Sequence, residues 1–230
     1  MSISVSIRPT NKKRRKIVFV IVLVPVAIML IGNGLWSFWR RYQATHMSQV
    51  DIQTETVTHS TDEPGETPPP DDCNGYQTGY DQPYKIEVPS VEVSGCIQKV
   101  GVDQNNSIAV PTNIHLAGWY TNSVLPGDKG VSIIDGHVLG RYQDAIFVNL
   151  KDIRPGDIIR IQFGDETWKE FEVIVVNSYP VNEVMDHLLP LHSGLDSQLN
   201  LITCGGNYDK NSHSYDQRVV VKSKLISNNE

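Results

Sequence analysis

Residues 199–206 read "LNLITCGG": a cysteine closes an apolar run and two glycines follow at once. A cysteine that only fills a core suits the run itself. The glycines and the polar stretch after them bring the chain onto a surface at Cys204 instead. A thiol there becomes a nucleophile if it has a proton-transfer partner and a group that holds a developing oxyanion. The chain has three cysteines, Cys73, Cys96 and Cys204, which cannot all pair with one another. An odd thiol in an oxidising space is a liability unless it has a use.

The histidines supply candidate partners. His137 follows the apolar stretch "VSIID" across Gly136, where a strand gives way to a loop and functional side chains project from the rim. His115 alternates within "IHLAGW" and reads as structural. His187 in a short helical stretch, and His192 and His213 in polar loops, read as surface residues, and His46 and His59 as solvated. Arg218 begins the last apolar run, after "GGNYDKNSHSYDQ". If the runs ending in Cys204 and starting at Arg218 are neighbouring strands, both residues lie at one end of a sheet. A guanidinium beside the thiol would favour thiolate and donate to an oxyanion. A plain surface arginine at a strand start fits the spacing equally well.

The elements that must position these residues are strands. "YKIEV", "VEVSGCIQKVGV", "SIAVP", "IHLAGWY", "VSIID", "AIFVNL", "IIRIQF", "WKEFEVIVVNSY", "LNLIT" and "RVVVKSKLI" are short apolar or alternating runs. The turn signals "VLPGDKG", "RPGD" and "GDE" separate several of them. "NEVMDHLLP" is a short helix ended by Pro190. About eight strands predict an all-β barrel or sandwich, and the long alternating run suits a small closed barrel with a filled interior.

The charge is divided unevenly. Residues 1–41 hold eight Lys and Arg and no Asp or Glu, which leaves twelve basic and 26 acidic residues for the rest. An acidic folded part argues against nucleic acid as a partner, because phosphate binding needs a basic face. Residues 17–39, "IVFVIVLVPVAIMLIGNGLWSFW", carry no charge and end in an aromatic cluster, as a membrane-spanning helix would. The basic tail 1–16 is then cytoplasmic and the remainder extracellular. The rival is a cleaved signal peptide, for which the stretch is long and lacks a clean small-x-small site. Residues 40–82, rich in Thr, Pro, Asp and Glu, read as a disordered tether between the membrane and a domain at 83–230.

"LNLITCGG" followed by "YDQRVVVKS" resembles the Leu-x-Thr-Cys … Arg signature of sortases, membrane-anchored cysteine transpeptidases of bacterial surfaces. "AGWYTNSVLPGDKGVSIIDGHVLG" resembles their Gly-His region, especially in the class F-like group, and "NLKDIRPGDIIRIQ" looks like a family strand entry. The resemblance spans roughly Tyr84 to Leu225. It implies an eight-stranded sortase β-barrel with short helices, preceded by a transmembrane helix and a disordered linker. It makes Cys204 the nucleophile, His137 the proton-transfer residue and Arg218 the holder of substrate and oxyanion. Thr203 either supports the oxyanion site or packs within its strand. The implied chemistry is acyl transfer: an LPxTG-like sorting-signal peptide is cleaved through a thioester and passed to an amine acceptor, a peptidoglycan precursor or a pilin lysine. The segment "YPVNEVMDHLLPLHSG" would line the peptide groove.

There are two departures. Many class F-like members have the arginine where Asp216 stands here, and many relatives have a small residue where Asp135 stands. Strand alternation turns Asp135 and His137 to one face. Asp135 either orients His137 or, as the preferred expectation, hydrogen-bonds to the barrel rim. Whether Cys73 and Cys96 form a disulfide is open, since sequence carries no geometry. No cofactor is expected, and no Cys-x-x-Cys or His-Glu-x-x-His metal motif occurs. Acidic loops such as "DEPGE" could attract calcium without defining a site. Two further readings stand beside transpeptidation: a hydrolytic cysteine peptidase of the same fold, and a tethered non-catalytic binding module. An L,D-transpeptidase is set aside because its Ser-x-Gly-Cys type motif is absent. The binding module has no need of a reactive Cys204.

Overall fold

The computed structural model describes residues 64–69, 73, 79–103, 107–210 and 212–229. The expected tail, membrane span and most of the expected tether lie outside these. Among the described residues no helix is long and apolar enough to cross a membrane.

The alternating runs form eight strands: β1 (Pro83–Val88), β2 (Val93–Val100), β3 (Ala117–Tyr120), β4 (Gly130–Gly136), β5 (Ile158–Phe163), β6 (Trp168–Pro180), β7 (Ser197–Asp209) and β8 (Ser214–Asn229). They close into a barrel in the order β1-β2-β3-β4-β7-β8-β6-β5. β2 with β3 and β4 with β7 pair in parallel, and the other neighbours are antiparallel. Closure gives every strand a neighbour on each side, though the far ends of β6 and β7 pair with β8 alone.

Period two decides what each strand buries. Ile134 of β4, Leu199 and Leu201 of β7, and Val219 and Val221 of β8 point into the barrel with Ile86, Ile97, Ile159, Ile161 and Phe171. The residues between them, Ile133, Ile202 and Val220, point outward and form a second cluster with Val184 and Leu188 of a short helix, α1 (Val184–Leu188). The barrel wall at β4, β7 and β8 is thus apolar on both faces. That explains why these strands read as continuous apolar runs.

Two runs expected to be strands are not. "SIAVP" contributes one isolated bridge, Val102 with Ile108. "AIFVNL" forms turns and leads into a 3-10 turn at Leu150–Asp152. Its apolar side chains instead plug the barrel, with Phe147 and Leu150 fully buried. Burial alone gives the same hydrophobic signal as a ladder.

The segment between β6 and β7, which carries α1, is fastened by polar groups. Asn200 Nδ2 donates to the Leu188 carbonyl at 2.6 Å, and Gln198 Nε2 donates to Asn200 Oδ1 at 2.9 Å. Gln198 Oε1 accepts from the His192 N–H at 2.7 Å. Both side chains are fully buried, so these bonds form in a low-dielectric setting where an unmade bond is costly.

At the other side Cys73 and Cys96 form a disulfide with a Cα–Cα distance of 5.5 Å, packed with Leu116. The segment 64–69, part of the expected tether, meets the barrel as well. Its Glu66 and Thr67 carbonyls accept from Gln143 Nε2 at 2.6 Å and Asn113 Nδ2 at 3.4 Å.

Replacing Asn200 by Ala would leave the Leu188 carbonyl without its side-chain partner and take from Gln198 Nε2 its shorter bond. We expect a loss of about 1–3 kcal/mol in urea unfolding and faster hydrogen exchange across residues 184–192. Unchanged exchange there would show that the polar bonds do not hold the segment.

Candidate active site

Strand register brings the predicted residues together. Cys204 of β7 and Arg218 of β8 are direct cross-strand partners. On the other side of β7, Asp135 of β4 pairs with Ile202 in a parallel ladder. Two residues further along both strands, His137 and Cys204 come level. Cys204 and Arg218 therefore stand side by side on adjacent strands, and His137, the residue just after β4, continues that row. By alternation with Ile133, Ile202 and Val220 they face outward, on the surface where α1 packs.

Thr203 fixes this alignment. Its hydroxyl donates to the Gly136 carbonyl at 2.7 Å, a buried bond between β7 and the residue just before His137. Thr203 is buried and follows Leu201 on the interior face, so its hydroxyl is committed away from the outward face that carries the thiol. Its side chain ties β7 to the end of β4. The His137 carbonyl accepts from the Phe147 N–H at 2.9 Å, which fixes the loop after β4. A Cβ on Gly136 would lie 2.6 Å from the Phe147 ring, so only glycine lets this loop close.

The glycines after Cys204 now have a reason. Between the pairs Gly205–Gln217 and Tyr208–Tyr215 the register slips, giving a bulge. Gly206 takes φ +77° there, and an added Cβ would collide with Asp216 Oδ1. That carboxylate accepts from the Asn207 N–H at 2.7 Å and holds the bulge. The hairpin beyond it carries Tyr208 and Tyr215 in edge-on contact at 5.2 Å.

Cys204 is the free thiol among the described residues. Burial pushes its pKa up; the Arg218 guanidinium pulls it down and the nearby Asp135 adds to the rise. Arg218 Nη1 donates to the Gln217 and Tyr215 carbonyls at 2.8 and 3.1 Å. Those bonds hold the fork in place and use one of its three nitrogens. Tyr215 also lies within electrostatic reach. Burial raises its phenol pKa, and the negative charge of an ionised Cys204 and then of Tyr208 raises it further.

Other described histidines lie elsewhere. His115 lines a cavity of about 210 Å³ beside the disulfide, with Lys85 and Glu92, and this cavity includes none of the three aligned residues. His187 stacks on Tyr179 at 3.8 Å. His213, with φ +52°, meets Tyr208 through its Nδ1 at 3.3 Å. The sequence reading missed Gln198, Asn200 and Tyr215. The first two alternate with Leu199 and Leu201, so a period-two polar face was present inside what reads as one apolar run. Nothing local marked Tyr215.

A model of the family described as "Sortase domain" matches residues 86–226. No curated protein matches the chain by sequence. Among solved structures, sortase C of Streptococcus pneumoniae is similar over 66% of this chain and 73% of its own, at 17% identity and TM-score 0.50, a likeness of fold. A lid mutant of sortase A from Corynebacterium diphtheriae has 23% identity, coverage of 67% and 75%, and TM-score 0.49. Sortase A of Listeria monocytogenes has 23% identity, coverage of 64% and 88%, and TM-score 0.47.

Two outcomes follow from the geometry. Arg218→Gln removes the cation opposite the thiol, so the Cys204 pKa should rise and alkylation by iodoacetamide at neutral pH should slow roughly three- to tenfold. Equal rates would show that the guanidinium does not act on the thiol. Thr203→Val should cost about 1–3 kcal/mol in urea unfolding, with Thr203→Ser recovering most of it. If serine behaves like valine, the loss is one of packing and not of the bond to Gly136.

Proposed function

Since the chain belongs to the sortase family of cysteine transpeptidases, we propose that Cys204, His137 and Arg218 carry out acyl transfer on a sorting-signal peptide of the Leu-Pro-x-Thr-Gly type. The observation that supports this most directly is the cross-strand pairing of Cys204 with Arg218, beside the end of β4 that leads into His137.

The steps follow from those positions. The Cys204 thiolate attacks the carbonyl carbon of the scissile bond, and the oxygen takes up negative charge. Arg218, directly opposite, donates hydrogen bonds to that oxyanion. The tetrahedral adduct collapses, the C–N bond breaks, and protonated His137 gives its proton to the departing amine. A thioester on Cys204 remains. An amine acceptor then attacks it, neutral His137 takes the proton from the incoming nitrogen, and Cys204 leaves as thiolate. Water in place of the amine gives hydrolysis.

The thiol's raised pKa means that the resting enzyme holds Cys204 mainly as thiol at neutral pH. Reaction draws on the smaller population with a thiolate and an imidazolium. Val181, Met185, Leu189 and Leu191, exposed on the segment around α1, offer apolar contacts for a peptide laid along this face. The charge-free stretch 17–39 behind a basic tail supports a single-pass membrane anchor, with the cytoplasmic N-terminus 1–16 and an extracellular catalytic domain. The acceptor would then be an amine of the cell surface, on a peptidoglycan precursor or a pilin lysine.

The test uses the full chain in detergent, a library of Leu-Pro-x-Thr-Gly peptides and an amine such as oligoglycine, followed by intact mass. A covalent adduct lost in Cys204→Ala, together with amine-joined product, is the expected result. An adduct released only by water with every amine tried would favour the peptidase. No adduct on folded protein with a free thiol would overturn the reading.

A further inference from the structure

Asp135 is a buried ionisable side chain that these steps leave unused. It is 7% exposed, and its Oδ1 is buried without a hydrogen-bond partner. The expected bond from this oxygen to the barrel rim is not made. The stabilising contact its carboxyl has is with its own backbone N–H, and burial raises its pKa well above the ordinary aspartate value. Leaving a carboxyl oxygen unpaired in a barrel wall is costly. Such a group calls for an explanation beyond packing.

Its surroundings are specific. Asp135 lies on the outward face of β4, two residues before His137, and pairs across the ladder with Ile202, two residues before Cys204. β3 makes room for it: Gly118 is its partner on that side, and a Cβ there would collide with Oδ1, with Pro111 and Val100 at 3.0 Å closing the same space. The ionisable groups around it can be named. β7 brings Cys204, and β8 brings Arg218 behind it. Its own chain brings His137. β3 offers Gly118 and, two residues on, the phenol of Tyr120. The loop after β2 brings Pro111, and its acid Asp103 accepts from the Ser107 N–H at 2.8 Å. Asp135 therefore lies within electrostatic reach of the thiol and two residues before His137, buried where a charge is weakly screened.

We propose that Asp135 is a positioning residue for the reaction: by gaining or losing its proton, its carboxyl sets the pH range over which Cys204 and His137 carry the charges that thioester formation needs. The inference rests on Cys204 as the nucleophile of the proposed function. When the carboxyl is neutral, Arg218 acts on the thiol unopposed. An ionised carboxylate disfavours a second negative charge on Cys204 and favours a positive one on His137. Both effects move the ionisations of the pair upward together, so the working range shifts toward higher pH as a unit.

The test measures iodoacetamide alkylation of Cys204 by intact mass across about pH 5 to 10, on the full chain and its Asp135→Asn and Asp135→Ala variants. Asparagine keeps the shape and cannot ionise. Its thiolate midpoint should fall by roughly one pH unit, so that below that midpoint the variant reacts roughly tenfold faster than the parent. Alanine should give the same shift, and the alkaline limb of kcat/KM on the peptide should move down with it. Coincident midpoints for the parent and Asp135→Asn would overturn the proposal. So would a shift in the alanine variant alone, which would report packing. Alkylation needs no peptide, so a shift without turnover of any peptide would uphold the coupling and remove the transpeptidase reading. Turnover with an unmoved midpoint would remove only the role of Asp135.

Discussion

The parallel pairing of β4 with β7 is the constraint on which the site depends. The two strands are far apart in sequence, with β5, β6 and α1 between them. Their register decides whether the residue after β4 stands level with the thiol or misses it. A slip of one residue would turn every outward side chain inward. The ladder is specified by Ile134, Leu199 and Leu201 on the interior face, by Ile133 and Ile202 on the outer face, and by the Thr203 hydroxyl on the Gly136 carbonyl. That last bond joins the residue before Cys204 to the residue before His137. It is worth about a kilocalorie per mole in general terms, but it acts where a small shift would part Cys204 from His137.

The same wall serves two purposes because it is apolar on both faces. Its inner face fills the barrel. Its outer face binds α1 and gives Cys204 a partly dehydrated setting that holds its proton on, against the pull of Arg218. A fully exposed thiol would ionise more readily and would also be open to oxidation. The segment between β6 and β7 is held to this wall by Asn200 and Gln198. That segment is therefore held by buried amide bonds as much as by apolar contact.

Much of this was legible in the chain. Cys204, His137 and Arg218 could be singled out because each stands where an apolar run meets Gly or a polar loop, and strand ends gather at a barrel rim. Alternation then gave the strands whose two faces differ. It failed where burial and strand pairing come apart. "AIFVNL" has the apolar content of a strand, yet Ile146 and Phe147 are buried by plugging the barrel from a turn. Thr203 was assigned to the right strand, but whether its hydroxyl faced the thiol or the interior depended on a register that sequence does not print. The pairing of Cys73 with Cys96 was undecidable for the same reason: spacing along a chain does not give a Cα separation.

That disulfide changes how the barrel is loaded mechanically. A pull applied to the chain ahead of Cys73 does not have to travel through residues 74–95 and peel β1 from its neighbours. It crosses the sulfur bridge and enters at Cys96, in the middle of β2, which is paired on one side with β1 and on the other with β3. The backbone hydrogen bonds of both ladders then share the force, and the strand ends that carry His137, Cys204 and Arg218 lie off that path.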